Sequence, residues 1–285
     1  MVPVTQRPYI SVVTPSLNQG RYLQEAIRSV ANQRYENCEH IVVDALSTDE
    51  TLDVLKAHEG AASLRWISEA DRGQSDALNN GVRLARGEWI LWLNADDLLL
   101  DGALDAFAEA IERHPRADVF YGHQRFIDAE GSTLKTVFHL PYRFRLVQGG
   151  LYLPPSTGSL FRKSLLIQQP LNEELHFVMD KEWFLRLGNT LQAVRINRSL
   201  SAFRVTAWSK TGSSVMRGQK HPRHAKESAR LTQQYGLGPN ASIARNSTQD
   251  RIQSLLYRVE YFARKSRFAV HYALNAMRRA LANRA

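Results

Sequence analysis

The stretch Trp89-Ile90-Leu91-Trp92-Leu93-Asn94-Ala95-Asp96-Asp97 constrains this chain most: five apolar residues that stop abruptly on two adjacent carboxylates. Such a run has the length of a strand buried on both faces, as in a parallel sheet. A strand ending this way delivers its acids to the carboxyl edge of the sheet, where open α/β proteins bind ligands. Neighbouring carboxylates repel each other unless a cation sits between them. Mg²⁺ or Mn²⁺, hard and oxygen-seeking, suits the pair and usually arrives with a substrate diphosphate. Taken alone, Asp96 and Asp97 serve equally well as a helix cap or a solvated loop, so the surrounding pattern has to decide.

That pattern alternates strand and helix through the first half. Ile10–Val13 reads as a strand that breaks at Thr14-Pro15, and a helix follows from about Arg21 with Tyr22, Leu23, Ala26, Ile27 and Val30 on one face. His40–Val43 is a second strand ending on Asp44, after which Ser47-Thr48-Asp49-Glu50 has capping-box spacing for a helix that turns Leu52 and Leu55 inward. Leu64–Ile67 is a third strand, and a helix over about Ser75–Arg86 leads to the Trp89 strand. Repeated βαβ units predict a parallel sheet with right-handed crossovers. Beyond about residue 115 the rhythm loosens. Val119–Tyr121, Arg125–Ile127, Leu134–Phe138 and Ala193–Arg204 read as extended, Gln148–Gly158 as loop, and Asp180–Leu187 as helix.

With 285 residues, 44% of them apolar, the chain buries a full core as one large α/β domain or one with an appendage. No apolar run reaches the roughly 18 residues a membrane span needs, and the first nine residues hold no hydrophobic signal core. Cys38 is the sole cysteine, which excludes an internal disulfide and multi-cysteine metal sites. A cytoplasmic location is therefore expected. Charge is uneven: residues 201–285 hold 16 Lys and Arg against 3 acids, a net of +13, while residues 1–200 carry −4. From Arg251 onward apolar residues recur at three or four positions among arginines, a basic amphipathic helix or two that suits an anionic membrane surface or a second subunit equally. No nucleic-acid module is recognisable, so membrane and phosphorylated substrates rank above nucleic acid as partners.

A polar group stands at each expected strand end: Thr14, Asp44, the Asp71-Arg72-Gly73 loop and Asp96-Asp97. Together they describe a crevice lined for a nucleotide, with a Thr14 hydroxyl near the base, Asp44 accepting a uracil imide and Arg72 facing base or phosphates. The motifs then become specific. Thr14-Pro15-Ser16-Leu17-Asn18, Val43–Asp49, Asp71–Gly81 and Asn94–Asp97, in that order and spacing over residues 8–100, resemble the opening of family-2 glycosyltransferases of the GT-A fold. The resemblance implies a Rossmann-like, mostly parallel sheet flanked by helices, with residues 1–100 as the donor half, 101–215 as the acceptor half and 216–285 as a basic helical extension. It implies donor contacts from Thr14, Pro15, Ser16, Asn18, Asp44, Asp71, Arg72, Gly73, Asp76, Asn94, Asp96 and Lys210. Asp96, assisted or oriented by Asp97, would hold Mg²⁺ or Mn²⁺. Asn94 stands where many relatives carry the first Asp.

Phe177–Leu187 resembles the family's acceptor-site helix, which implies Asp180 as catalytic base; Glu182 is an alternative, although residues two apart on a helix do not share a face. A helix N-terminal carboxylate favoured by the macrodipole would by itself account for Asp180. Arg204-Val205-Thr206 falls where relatives show Arg-x-His, so Thr206 replaces a metal-binding His, and Trp208 or Lys210 could close on the diphosphate instead. His139 and His176 read as structural or acceptor-facing, and Pro154–Gly158 as the edge of the acceptor pocket. The resemblance thus implies an inverting, hexosyl-type transfer from a nucleoside-diphosphate sugar, UDP favoured. The acceptor would be a saccharide or lipid-linked saccharide; the alternatives are an idle nucleotide-sugar-binding scaffold or a sugar-phosphate nucleotidyltransferase. The loop Thr14–Gly20, with one Gly and no Lys, argues against the last.

Overall fold

The computed structural model describes residues 7–61, 63–150, 152–206 and 221–237. Its centre is a nine-stranded sheet in the order β3-β2-β1-β4-β8-β6-β9-β5, with β7 hung on β6. The strands β1 (Ile10–Ser16), β2 (Cys38–Asp44), β3 (Leu64–Ser68) and β4 (Trp89–Trp92) are mutually parallel, as the βαβ reading expects. Between them run α1 (Gly20–Ala31), α2 (Thr51–Ala57) and α3 (Gln74–Leu84). After β4 come β5 (Leu98–Leu99), α4 (Ala103–Arg113), β6 (Val119–Ile127), β7 (Thr133–Val137) and α5 (Phe144–Gln148). The described chain finishes with β8 (Ser159–Arg162), α6 (Lys163–Gln168), α7 (Met179–Leu187), β9 (Ala193–Arg204) and α8 (Pro222–Tyr235).

Alternation along the central strands explains the layering. On β4, Ile90 and Trp92 join the core beneath α3 and α7, while Trp89 and Leu91 face α4 on the other side. Successive residues of a strand point to opposite faces, so a run apolar throughout is what a doubly covered strand requires. Trp183 and Phe184 of α7 anchor the first layer, both 1% exposed. Leu23, Ile27 and Leu55 pack α1 and α2 against Val42 and Ala95.

Three expectations change. The capping box at Ser47–Glu50 does not form: Ser47 instead bonds Asp44, and Asp49 Oδ1 accepts the Thr51 N–H at 3.0 Å to start α2. The two short strands expected around Val119–Ile127 are one nine-residue strand. And β8 inserts antiparallel between β4 and β6, so the sheet is mixed in its second half. Four residues without alternation, directly after a Pro-rich loop, carry no periodic signal of such a strand.

Candidate active site

The carboxyl ends of β1 and β4 open into a cavity of about 470 Å³. Pro15 and Ser16 line it from β1, Asp71 and Gly73 from the β3–α3 loop, Gln74 from the start of α3, and Asn94 and Asp96 from just past the end of β4. The opposite wall brings Ser156, His176, Phe177 and Asp180. The sheet thus gathers residues more than 160 positions apart around one space.

The adjacent carboxylates differ in their surroundings. Asp97 is fully buried; its Oδ1 accepts the Arg204 backbone N–H at 2.8 Å, and its Oδ2 accepts the Thr157 hydroxyl at 2.8 Å and the Asn94 amide at 3.1 Å. With both oxygens engaged, Asp97 ties the β4 end to β9 and to the 156–158 loop. Asp96 lines the cavity, and its carboxylate takes no hydrogen bond from another described residue. Burial raises the pKa of both: for Asp96 against its own backbone N–H and the Arg204 charge, for Asp97 with the added repulsion of Asp96. Burial and mutual repulsion thus disfavour two negative charges here, and a bound cation would relieve both.

Among the described residues no three His, Cys, Asp or Glu side chains are grouped for a metal. One unengaged carboxylate opening into a cavity nonetheless fits an octahedral ion that draws most of its oxygens from water and a substrate diphosphate. The Ser16 hydroxyl adds to this fit: it is 4% exposed, lines the cavity, and lacks a hydrogen-bond partner among the described residues. Buried polar atoms left unpaired are rare and call for a ligand or water.

Two residues shape this edge. Asn94 Oδ1 accepts from Trp92 Nε1 at 2.8 Å and Gln74 Nε2 at 2.9 Å, while its amino group faces Asp97. An Asp in its place would set a third carboxylate against Asp97. Arg204, which the sequence marks only as the first residue of Arg204-Val205-Thr206, is 0% exposed. Its Nε donates to the Asp96 carbonyl at 2.9 Å, Nη1 to the Ala129 carbonyl at 2.9 Å and Nη2 to Glu25 at 2.7 Å, with the guanidinium over the Tyr22 ring. Only the fold brings these carbonyls together, so no local pattern could have given Arg204 its role.

The remaining expected donor residues divide. Asp71 Oδ1 accepts the Gly73 N–H at 2.8 Å, and Asp76 accepts the Arg72 N–H at 3.1 Å, so these acids shape the loop entering α3. Gly73 has φ +121°, and a Cβ there would come within 2.9 Å of His176 Cε1. Glycine therefore lets the 71–73 loop touch the opposite wall. Thr14, Asp44 and Arg72 do not line the cavity. β1 continues to Ser16, so Thr14 lies inside the sheet and bonds His40 Nε2 at 2.9 Å instead of standing at its edge. Asp44 is 0% exposed and holds Ser47 and Ser68, and Arg72 turns outward to Asp76 and Glu173. Asn18 likewise serves the loop, accepting the Thr48 N–H at 2.8 Å from a backbone at φ 52°. Thr206 is buried just after β9, whereas Trp208, Lys210 and the 251–285 segment fall outside the described residues.

Asp180 is the second residue of α7, where the helix dipole favours a carboxylate. Its Oδ2 accepts the Ser156 hydroxyl at 3.2 Å and its Oδ1 the Lys181 N–H at 2.7 Å. Glu182 turns the other way, pairing with Arg186 at 2.9 Å and accepting the Tyr235 hydroxyl at 3.0 Å. The cavity also has apolar members that the motifs did not mark, among them Trp92, Met179 and Phe203.

Known proteins share both this sequence pattern and this architecture. The family model described as Glycosyl transferase family 2 matches residues 11–170. A PGL/p-HBAD biosynthesis glycosyltransferase of Mycobacterium bovis is 38% identical over 118 residues, which span 40% of this chain and 46% of that one. The matched segment thus spans about half the length of that relative. The chondroitin synthase of Escherichia coli is 26% identical over 192 residues, 67% of this chain and 28% of the synthase. Among solved structures, S. aureus TarS 1–349 in complex with UDP-GlcNAc superposes with a TM-score of 0.60 at 18% identity, covering 87% of this chain and 79% of that one. The mannosyltransferase PcManGT of Pyrobaculum calidifontis, in complex with GDP-Man and Mn²⁺, gives 0.57 at 17% identity, with 98% and 76% covered. Both are similar in fold, the GT-A arrangement of a mostly parallel sheet between helices. With more than half of its length matched by the family model, the chain belongs to glycosyl transferase family 2.

Proposed function

We propose that this family-2 glycosyltransferase is an inverting enzyme that moves a sugar from a nucleoside-diphosphate donor, UDP favoured, to a hydroxyl of a saccharide or lipid-linked saccharide. The observation carrying this reading is that Asp96, with its unengaged carboxylate, and Asp180 line one cavity from opposite halves of the chain. The complexes of similar folds with UDP-GlcNAc and with GDP-Man and Mn²⁺ support a nucleotide-sugar donor and a divalent ion.

In this reading the donor lies along the β1 and β4 ends, its phosphates beside Asp96 and the Ser16 hydroxyl. A Mg²⁺ or Mn²⁺ ion on Asp96 would supply charge to the departing nucleoside diphosphate. Asp97, Asn94 and Arg204 keep Asp96 in place, so the carboxylate needs no rearrangement on binding. Across the cavity Asp180 accepts the proton of the acceptor hydroxyl as that oxygen attacks the anomeric carbon. Ser156 holds the Asp180 carboxylate toward the cavity, and Phe177 offers an aromatic face to the acceptor. The +13 charge of residues 201–285 favours a cytoplasmic enzyme working at an anionic membrane surface.

The test is a melting-temperature screen against UDP, GDP, dTDP and CMP, each with and without Mn²⁺. A ligand that binds only the folded state raises the midpoint by mass action. A metal-dependent rise with one nucleoside diphosphate, abolished in Asp96→Ala, is the expected result. No rise with any nucleotide overturns the reading.

A further inference from the structure

The helix α8 lies beyond residues 11–170, the part the family model matches, yet it grips the cavity's acceptor wall. Its Glu227 is 6% exposed, and that carboxylate accepts the Phe177 backbone N–H at 2.8 Å and the His176 N–H at 3.1 Å. Both residues line the cavity, and Asp180 follows three positions later. Arg223, one turn earlier on α8, donates to the same carboxylate at 3.0 Å. Leu231 is buried in the core that includes Leu175, Val178 and Met179, and Tyr235 reaches Glu182 of α7. His221, at the start of α8, stacks on the Phe177 ring at 4.8 Å. The helix thus touches the segment 175–182 at its backbone, its apolar side and its far end.

A buried carboxylate receiving two successive main-chain N–H groups fixes the path of a segment that has no regular structure of its own. Residues 176 and 177 precede the first turn of α7, so these N–H groups lie outside that helix's own hydrogen-bond ladder. We infer that Glu227 is a positioning residue for the acceptor side: it holds the His176–Phe177 backbone and, through it, the first turn of α7 that carries Asp180. The inference rests on the reading given above for that side of the cavity. It separates the two proposed substrates, because among the described residues Glu227 bonds His176, Phe177 and Arg223, none of them at the β1 or β4 end.

The experiment compares the full chain with Glu227→Gln, and with Arg230→Ala, which opens only the exposed pair between Arg230 and Glu174. Amide exchange is read at 175–180 and in β1 and β4, UDP affinity by calorimetry with Mn²⁺, and transfer with p-nitrophenyl glycosides as acceptor probes. Loss of a charge-assisted hydrogen bond predicts exchange at 176–177 and acceptor KM both raised about tenfold in Glu227→Gln. UDP affinity stays within about twofold by the same argument, and Arg230→Ala behaves as wild type. Unchanged exchange at 176–177 overturns the inference. So does an equal acceleration in β1 and β4 with a parallel loss of UDP affinity, the mark of a merely stabilising group. If the wild-type protein binds no nucleotide and transfers no sugar, the functional reading falls, and the exchange pattern still decides whether Glu227 holds the wall.

Discussion

The β1–β4 edge of the cavity, proposed to take the donor, and the facing wall, proposed to take the acceptor, are held by different means. On the donor edge, Ser16 and Asn94 sit at or just past the ends of paired parallel strands, whose register to their neighbours is set over four to seven residues. On the acceptor wall, Ser156, His176 and Phe177 belong to no strand or helix, and side chains from distant segments hold this wall: Glu227 accepts from His176 and Phe177, Gln124 donates to the Thr157 carbonyl at 3.1 Å, and Asp97 accepts the Thr157 hydroxyl at 2.8 Å. A ladder of backbone bonds tolerates the loss of one member better than a segment held by a few side-chain bonds does. The comparison teaches that, on the proposed reading, the acceptor side is the one that substitutions far from the cavity reach first.

The sharpest contrast is chemical. Asp180→Asn should leave the fold intact and lower transfer by about 10³-fold, as loss of a general base does; retained activity with unchanged melting would remove Asp180 from the mechanism. The adjacent acids should then split. Asp97→Ala strands the Thr157 hydroxyl, the Asn94 amide and the Arg204 N–H in the interior, and should cost about 3 kcal/mol in urea unfolding. Asp96→Ala strands nothing and should unfold like wild type while losing the Mn²⁺-dependent nucleotide shift; equal destabilisation of both would erase the distinction. Thr157→Val, which deletes one bond to Asp97 across the two halves, should cost about 1–2 kcal/mol by the same measurement.

The smallest effect lies within the parallel half of the sheet. Burial depresses the His40 pKa from 6.5 to about 3, with the charge of His58 adding to it. The unfolded chain therefore binds a proton in this window that the folded chain refuses. Stability from this residue is fully present above pH 6.5 and falls as pH drops toward 3. His40→Gln should flatten that part of the stability profile relative to wild type, and an identical slope in both proteins would contradict the sheet's hold on His40.

Much of this molecule was legible before folding. The β1–β4 and α1–α3 alternation is local, because each strand is apolar throughout and each helix has one apolar face. Ala193–Arg204 was likewise read with the bounds that β9 has. The strand β8 was not legible, nor was the split between Asp96 and Asp97, which are identical in type and adjacent in sequence. Their difference comes from Thr157 and Arg204, 60 and 107 residues from Asp97. The end of β2 on Asp44 was legible, but Thr14 lies two residues short of the end of β1 for a related reason: strand length is set by pairing partners, and pairing with β2 carries β1 on to Ser16. The sequence by itself determined the parallel half-sheet, the family pattern and where carboxylates would gather. Only the tertiary structure decided which carboxylate faces the cavity, because hydrogen bonds from distant segments consume one acid and leave the other open.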